Sequence, residues 1–170
     1  MPEVFAIPTD TCYGLACRID DTISYEWIYT LKGRDITKPL AIVVRNFDDV
    51  SNFIEITDSE RFFLESYPFP FTILGKPKWL PSCLDPNRYS MLGLRVALRC
   101  LDPEFHDLPF PIFLTSANRS WEKECITRWD VMNIFWDAVI TLGETSRGLP
   151  PSNIFFFTSK GIHFIRKNYF

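Results

Sequence analysis

The sequence predicts an α/β fold of α+β-like character, in which helices pack on a mixed sheet. Two observations support this prediction. Short apolar segments alternate with segments of helical periodicity through the first half of the chain, and segments of strand length dominate the second half. Capping residues and proline-rich connections separate the segments. Because no internal repeat and no interior linker is visible, we expect a single domain over residues 1–170.

Helical segments carry recognisable start signals. Asp20 and Asp21 are N-capping residues for a predicted helix over 22–31, and the capping-box sequence Thr57-Asp58-Ser59-Glu60 precedes a predicted helix over 61–67. An apolar stripe of Ile23, Trp27, Ile28 and Leu31 predicts the buried face of the first helix. The other predicted elements are strands over 4–8, 38–44, 71–76, 91–98, 112–114 and 138–142, helices over 46–54 and 127–137, and a terminal hairpin of 153–158 with 162–166.

Composition narrows the classes of function. The chain has 18 Lys and Arg against 21 Asp and Glu, so its net charge of −3 disfavours an extended nucleic-acid surface but permits a local basic cleft. Five cysteines without a CxxC pair argue against a disulfide framework and a zinc site, and we predict no protein-built metal site. The apolar runs are too short to span a membrane and no signal peptide is visible, so we expect a cytoplasmic protein.

Three connections share hydroxyl, amide and cationic side chains. PTDTCYG (8–14) follows the first strand, KGRDITK (32–38) follows the first helix, and TSAN (115–118) follows a late strand. Loops at strand ends are where α/β proteins place ligand contacts. Cations and hydroxyls with almost no general acid or base are suited to clamping a polyanion, which phosphoryl or nucleotidyl transfer requires.

The same residues also permit simpler interpretations. Lys32 and Arg34 at a helix end compensate the helix dipole in solvent, and the segment around Thr9 is also an ordinary turn satisfied by its own backbone. Tyr13 is equally a packing aromatic, and Lys38 a charge at a strand edge. A Ser–His or Cys–His dyad has little support, since the chain has two histidines and no nucleophile motif such as GxSxG.

Taken in order, PTDTCYGLA, KGR with KPL, FTI, GLRV, TSAN and a last strand ending at IRK resemble the YrdC family, the threonylcarbamoyl-AMP synthases of tRNA modification. The specific part is a Lys-x-Arg and a Ser-x-Asn that meet in one cleft, here Lys32, Arg34, Ser116 and Asn118. The resemblance implies a twisted, mostly parallel mixed sheet with an open, concave, positive cleft. It also implies synthesis of threonylcarbamoyl-AMP from L-threonine, bicarbonate and ATP, with Mg²⁺ and release of pyrophosphate.

The resemblance also implies roles for single residues. Lys32 and Arg34 would stabilise the charge that develops on the α-phosphate, and they are the candidate catalytic residues. The candidate ATP-binding residues are Lys32, Arg34, Ser116, Asn118 and Arg166, and the candidate threonine-binding residues are Thr9, Tyr13, Lys38, Arg95 and Ser152. Expected partners are a downstream threonylcarbamoyl transferase and, through a weak contact, tRNA; no membrane partner is expected.

Departures from the family pattern include the lack of its usual helix before the first strand and Ser152-Asn153-Ile154 in place of its Ser-Thr-Val, and two more lie in loops. Phe69 stands where the family has the glycine of a PGP turn, and Arg119-Ser120-Trp121 follows TSAN where the family tends to have Ser-Gly. If the glycine of that turn is needed for a left-handed backbone or for close approach of a ligand, Phe69 alters the loop. Two further functions are consistent with the residues. One is a non-enzymatic YrdC-like module that binds RNA or nucleotide, and the other is a paralogue with a different acyl or carbamoyl substrate.

Overall fold

The computed structural model describes residues 1–169, and over these residues nine strands form one mixed sheet with short helices beside it. The strands are β1 (Phe5–Pro8), β2 (Tyr13–Arg18), β3 (Ala41–Val44), β4 (Phe71–Gly75), β5 (Leu92–Val96), β6 (Ile112–Ser116), β7 (Ile140–Thr141), β8 (Asn153–Thr158) and β9 (Gly161–Arg166). The helices are α1 (Thr22–Lys32), α2 (Val50–Phe53), α3 (Asp58–Ser66), α4 (Ala97–Cys100) and α5 (Arg128–Phe135), with 3-10 turns at Pro103–Phe105 and Trp136–Ala138.

The strand order across the sheet is β7-β1-β2-β6-β3-β5-β4-β8-β9. Among these described strands, β1–β7, β3–β5 and β4–β8 are parallel, and the other five neighbouring pairs are antiparallel. The mixed sheet with flanking helices is therefore confirmed, but the expectation of mostly parallel pairing is wrong. Tight connections cause the difference, because β1–β2 and β8–β9 are joined by turns too short for a parallel crossover.

Strand β2 is the element that the sequence does not predict. It is buried along nearly its whole length, so it lacks the alternation of polar and apolar residues that marks a half-exposed strand. Its register sets Gly14 opposite Ser116 on β6, which brings the PTDTCYG segment beside TSAN. A Cβ atom at position 14 would overlap the Leu114 side chain, so the close approach of the two strands requires glycine.

Helix α1 begins and ends close to its predicted bounds but buries a different face. Ile23 is 68% exposed and Trp27 is 37% exposed, so these two members of the predicted stripe are wrong. The buried face includes Ile28 with Tyr25 and Tyr29, whose hydroxyl groups hydrogen-bond each other at 2.9 Å. Tyrosines form this face because their rings pack in the core while each hydroxyl finds a partner.

The capping signals are confirmed elsewhere. The capping boxes of α3 and α5 are both present, with Thr57 and Thr127 as N-caps. The helix predicted over 46–54 is shorter than expected, and the strand predicted over 91–98 ends at Val96 and continues as α4.

Phe69 is outside the left-handed region, since the described non-glycine residues with positive φ are Trp121 and Trp136. None of the described helices has the length and apolar content needed to cross a bilayer.

The two faces of the sheet are covered to different extents. Ile42, Leu94 and Phe113 belong to the larger hydrophobic core, which also contains the buried tyrosines of α1. On the opposite face, Val43 and Leu114 join a smaller core beneath the chain that follows β5. Helices α1, α2, α3 and α5 pack on the first face, whereas α4 and the chain after it cover only part of the second. This difference leaves room for a cavity over the second face.

We expect two isoleucines of α1 to differ sharply in their contribution to stability. Ile28→Ala should lower the free energy of unfolding by about 2–5 kcal/mol, because Ile28 is fully buried and the change creates a cavity. Ile23→Ala is the matched control on the exposed face of the helix and should change it by no more than about 0.5 kcal/mol. Urea unfolding measures both values, and equal losses would show that the buried face is assigned incorrectly.

Candidate active site

A cavity of about 450 Å³ lies on the partly covered face of the sheet. Alternate residues of neighbouring strands point into it, as shown by Thr72 with Leu74, Gly93 with Arg95, and Leu114 with Ser116. The site therefore lies across the face of the central strands and not at their ends, where the sequence placed it. Its volume is typical of a small-molecule site.

The structure gathers most of the predicted site residues around this cavity. Thr9, Tyr13, Arg34, Arg95, Ser116, Ser152 and Arg166 line it. Lys32 and Asn118 lie behind its wall, hydrogen-bonded to each other. Lys38 is not a lining residue, and its ammonium lies over the Trp121 ring.

Lys32 is a buried cation whose ammonium group holds the TSAN loop. Lys32 is only 2% exposed to solvent. The Nζ atom donates to the Ser116 carbonyl oxygen at 2.5 Å, and to the carbonyl oxygen and Oδ1 of Asn118, both at 2.8 Å. These bonds use all three N–H groups of the ammonium. The expected direct contact of Lys32 with a phosphate thus has no support in this geometry, and we infer a positioning role instead.

Burial also changes the ionisation of Lys32. Removal from water, with a smaller contribution from the nearby charge of Arg34, lowers the pKa of Lys32 to about 8. The three accepting oxygens favour the charged form and oppose this shift. An ammonium in this place is stabilised by the protein oxygens around it, so the TSAN loop is held by charge-assisted hydrogen bonds.

The local sequence explains how the KGR segment reaches this position. Gly33 adopts a left-handed conformation with φ of 58° and ends α1, so Lys32 is the last helical residue. The Arg34 N–H group donates to the Tyr29 carbonyl oxygen at 3.0 Å, which completes the C-terminal cap. The Ser120 N–H group donates to the Lys32 carbonyl oxygen at 2.7 Å, so the helix end is bonded to the segment after TSAN as well as to TSAN itself.

Backbone hydrogen bonds join PTDTCYG to TSAN. The Ala117 N–H group donates to the Tyr13 carbonyl oxygen at 2.7 Å, and Cys125 bonds to both residues through its own backbone groups. Within the first motif, the Thr9 hydroxyl donates to the Cys12 carbonyl oxygen at 2.7 Å. The simpler interpretation of this segment as a self-satisfied turn is therefore correct, although Thr9 also lines the cavity.

Arg34 is the cation of the KGR segment that faces the cavity. Its Nε and Nη2 atoms donate to the Lys38 and Pro39 carbonyl oxygens, both at 3.3 Å, and these bonds orient the guanidinium group on the cavity wall. Lys38 itself is exposed, and its Nζ lies 5.1 Å from the centroid of the Trp121 ring. The threonine-binding role expected for Lys38 is therefore at odds with its position.

Tyr13 contributes packing and not its hydroxyl group. The residue is fully buried, and its hydroxyl donates to the Leu142 carbonyl oxygen at 3.0 Å. Burial raises the pKa of Tyr13 to about 12. The hydroxyl is thus occupied at the edge of the sheet, so the predicted binding of threonine by Tyr13 would have to use its other atoms at the cavity lining.

Arg95, which lines the cavity, belongs to a buried ion pair. The Arg95 Nη2 and Asp10 Oδ1 atoms are 2.6 Å apart, and the Arg95 Nε atom donates to the Phe71 carbonyl oxygen at 3.2 Å. Both side chains are almost completely buried. Asp10 was not among the predicted site residues. It is the single carboxylate of the PTDTCYG motif, and this could have marked it as the partner of a buried cation.

The opposite wall joins β4 to the segment before β8. The Ser152 and Thr72 hydroxyl oxygens are 3.2 Å apart, and Arg166 donates from Nε and Nη2 to the carbonyl oxygen and Oγ of Ser152. Thr72 is a lining residue that the sequence analysis missed, and its place in the FTI strand was the available signal. Glu124 also lines the cavity, and no pattern in the sequence identifies it.

The ionisation of the thiols argues against nucleophilic catalysis by cysteine. Burial raises the pKa of Cys17 and of Cys125 to about 12, and that of Cys83 and of Cys100 to about 11. The pKa of Cys12, which lines the cavity, is also raised by burial. Because the thiolate is the reactive form, these thiols are poor nucleophiles at neutral pH. Among the described residues, no group of three or more His, Cys, Asp or Glu forms a metal site.

Comparisons with known proteins agree with this architecture. A family model named for Sua5, YciO and YrdC and described as telomere recombination matches residues 2–168. The threonylcarbamoyl-AMP synthase of Enterobacter sp. (strain 638) is 29% identical, over 89% of this chain and 83% of the relative. The human threonylcarbamoyl-AMP synthase is 32% identical over 87% of this chain, which spans 54% of that longer protein. The crystal structure of P. abyssi Sua5 complexed with L-threonine superposes with a TM-score of 0.79 at 21% identity, over 96% of this chain and 50% of that chain.

Removing the ammonium of Lys32 should destabilise the protein. Lys32→Met keeps an apolar stem of similar length but leaves the oxygens of Ser116 and Asn118 without their donor, so the free energy of unfolding should fall by about 2–4 kcal/mol. Lys38→Met removes an exposed ammonium near the same loop and should change the value by no more than about 0.5 kcal/mol. Denaturant unfolding of both variants tests this difference, and an unaffected Lys32→Met protein would contradict the positioning role.

Proposed function

Because this chain belongs to the Sua5/YciO/YrdC family, we propose that it is an L-threonylcarbamoyl-AMP synthase, a nucleotidyltransferase. The observation that carries the proposal is the cavity itself. Three arginines, Arg34, Arg95 and Arg166, line its wall, and the loop held by Lys32 forms one side of it. A cavity with this many cations and hydroxyls suits a ligand that brings several negative charges, such as a nucleotide with an amino acid.

The proposed reaction has two steps. The amine of L-threonine combines with bicarbonate to give a carbamate, and the amine proton and the hydroxyl group of bicarbonate leave as water. A carbamate oxygen then attacks the α-phosphorus of ATP, and the bond to the β-phosphate oxygen breaks as pyrophosphate leaves. Neither step requires a protein nucleophile, which agrees with the protonated thiols of the described cysteines. The main demands on the protein are positioning and the stabilisation of negative charge.

We assign these demands to the predicted residues according to their positions. Arg34 faces the cavity and is our candidate for stabilising the phosphate charge in the transition state. Lys32 and Asn118 hold the loop that presents Ser116, and these residues would act on the nucleotide through that loop. Lys32 is thus a positioning residue in this proposal, not a direct contact of the phosphate.

The threonine end of the site would use the opposite wall. Arg95 retains donors beyond those that bind Asp10 and the backbone, so it is suited to the threonine carboxylate. Ser152, fixed by Arg166 and by Thr72, would offer a hydroxyl at the same wall. The local turn around Thr9 would close the pocket beside them.

Mg²⁺ would arrive as the companion of ATP. This ion is usually held by one or two carboxylates together with substrate phosphates, and Glu124 is a carboxylate that lines the cavity. The donor set therefore fits an ion carried by the nucleotide. When bound, the ion would neutralise phosphate charge.

The product would serve a transferase that moves the threonylcarbamoyl group to tRNA. We place this work in the cytoplasm and expect at most a weak contact with tRNA, since the net charge of −3 disfavours a dedicated RNA surface. That residues 1–170 form one domain stays a prediction. An RNA-binding module is the weaker alternative, because it has no need of a cavity of this volume between buried charges.

The synthase activity is tested directly by product formation. With Mg²⁺, ATP, L-threonine and bicarbonate, the purified protein should form threonylcarbamoyl-AMP and pyrophosphate in equal amounts, as measured by mass spectrometry and a pyrophosphate assay. Omission of threonine or of bicarbonate should abolish both products, because the attacking carbamate needs both. Absence of product under conditions in which the Enterobacter synthase is active would contradict the proposal.

Arg34→Ala should reduce the turnover rate by roughly 100- to 1,000-fold, which is the effect of removing one preorganised donor to a developing negative charge. Its stability should change little, because the side chain bonds only two carbonyl oxygens at the protein surface. Arg45→Ala is the control, since Arg45 bonds the His106 carbonyl oxygen away from the cavity. Equal rates for the two variants would remove Arg34 from the catalytic centre.

A further inference from the structure

Trp121 has an unusual backbone conformation for its residue type. Its φ is 73°, in the left-handed region that favours glycine, and the residue is 94% exposed. The Glu122 N–H group donates to the Arg119 carbonyl oxygen at 3.0 Å, which places Trp121 third in a four-residue turn. Turns with positive φ at this position normally carry glycine. A large apolar side chain therefore sits in solvent on a strained backbone, a combination that stability does not explain.

The two neighbours of Trp121 are hydrogen-bonded to Lys32 and Asn118, the pair that we call the Lys32 clamp. The Ser120 N–H group donates to the Lys32 carbonyl oxygen at 2.7 Å. The Asn118 Nδ2 atom donates to the Glu122 carbonyl oxygen at 2.8 Å. The turn is thus fastened on both sides of Trp121 to the residues that hold the TSAN loop. The indole is carried at a fixed place relative to the cavity, although it lies outside the lining.

The indole also lies beside the cationic rim of the cavity. The Lys38 ammonium covers one face of the ring, 5.1 Å from its centroid. The Lys38 carbonyl oxygen accepts a hydrogen bond from Arg34, and Arg34 lines the cavity. Because the residue is 94% exposed, the other face of the ring is open to a planar partner. A flat aromatic face covered by the cation of Lys38, whose carbonyl oxygen bonds the cation that lines the cavity, is suited to binding a base together with its phosphates.

We propose that Trp121 stacks on the purine base of the nucleotide whose phosphates bind at Arg34. This inference rests on the proposed function for the identity of the nucleotide, and it adds a residue that determines how the base is bound. The strain at Trp121 is then retained because the turn directs the ring toward the base. An unpaired RNA base has the same planar chemistry, but the net charge of −3 favours the small nucleotide.

The test compares ligands with and without a base. Affinities for ATP and for inorganic tripolyphosphate, each with Mg²⁺, and for single-stranded RNA are measured by titration calorimetry for the wild type, Trp121→Gly and Trp121→Phe. Trp136→Gly is the matched control, because Trp136 also has positive φ, at 47°, and is 72% exposed. Both glycine variants remove the same side chain from a position of positive φ, so effects of strain relief are common to them.

We expect Trp121→Gly to weaken ATP binding by roughly 5- to 100-fold, the range of base–aromatic stacking, and to leave tripolyphosphate binding unchanged. Trp121→Phe should recover most of the loss, and Trp136→Gly should bind both ligands like the wild type. In steady-state assays the KM for ATP should rise in Trp121→Gly, while kcat and the KM for threonine stay constant. A purely structural role would instead change all three constants or the unfolding midpoint.

Three outcomes would overturn the inference. These are equal ATP affinities for wild type and Trp121→Gly, equal losses for ATP and tripolyphosphate, and a loss of affinity for single-stranded RNA without a loss for ATP. The calorimetry needs no turnover, so it separates the two proposals. Base-dependent binding through Trp121 without product formation would contradict only the synthase proposal, and product formation with an unchanged KM for ATP in Trp121→Gly would contradict only the stacking.

Discussion

The ammonium of Lys32 is the interaction on which the rest of the candidate site depends. A buried charge is costly unless the protein supplies partners for it, so the chain must bring three oxygens to one point behind the cavity wall. That requirement ties the end of α1 to the loop after β6, although the two segments are more than 80 residues apart. Because Lys32 is held behind the wall by these bonds, Arg34 is the cation of the KGR segment that lines the cavity.

A second buried charge arranges the other end of the cavity by the same logic. Arg95 on the central strand β5 is neutralised by Asp10 from the turn between β1 and β2. The turn is thereby held against the sheet, and its threonines reach the cavity lining. Two fixed cations therefore flank the open face of the sheet, and each is stabilised by the protein before a ligand arrives. Preorganisation of this kind is what charge stabilisation in a transition state requires.

Stability and site geometry are in tension at one place. Trp121 occupies a left-handed position in a turn that hydrogen bonds fasten to the Lys32 clamp. Gly33 takes the left-handed region where it ends α1 and incurs no such strain. One position follows Lys32 in the chain and the other lies in a turn that is hydrogen-bonded to it. The contrast between them separates a backbone requirement met by glycine from one imposed on a large side chain. The second kind is expected at binding sites.

Local sequence was sufficient for the helices with capping residues and for most strands, because capping and periodicity depend on nearby residues. The family resemblance, and not local sequence, identified the KGR and TSAN motifs as partners. Residue types also indicated the chemistry of charge stabilisation. Tertiary structure alone decided that β2 exists, that most strand pairs are antiparallel, and that Ile23 faces solvent. It also decided that Lys32 is buried, that Asp10 pairs with Arg95, and that Thr72 and Glu124 line the cavity. These features depend on which distant segments become neighbours in the fold, and the spacing of residues along the chain does not specify those contacts.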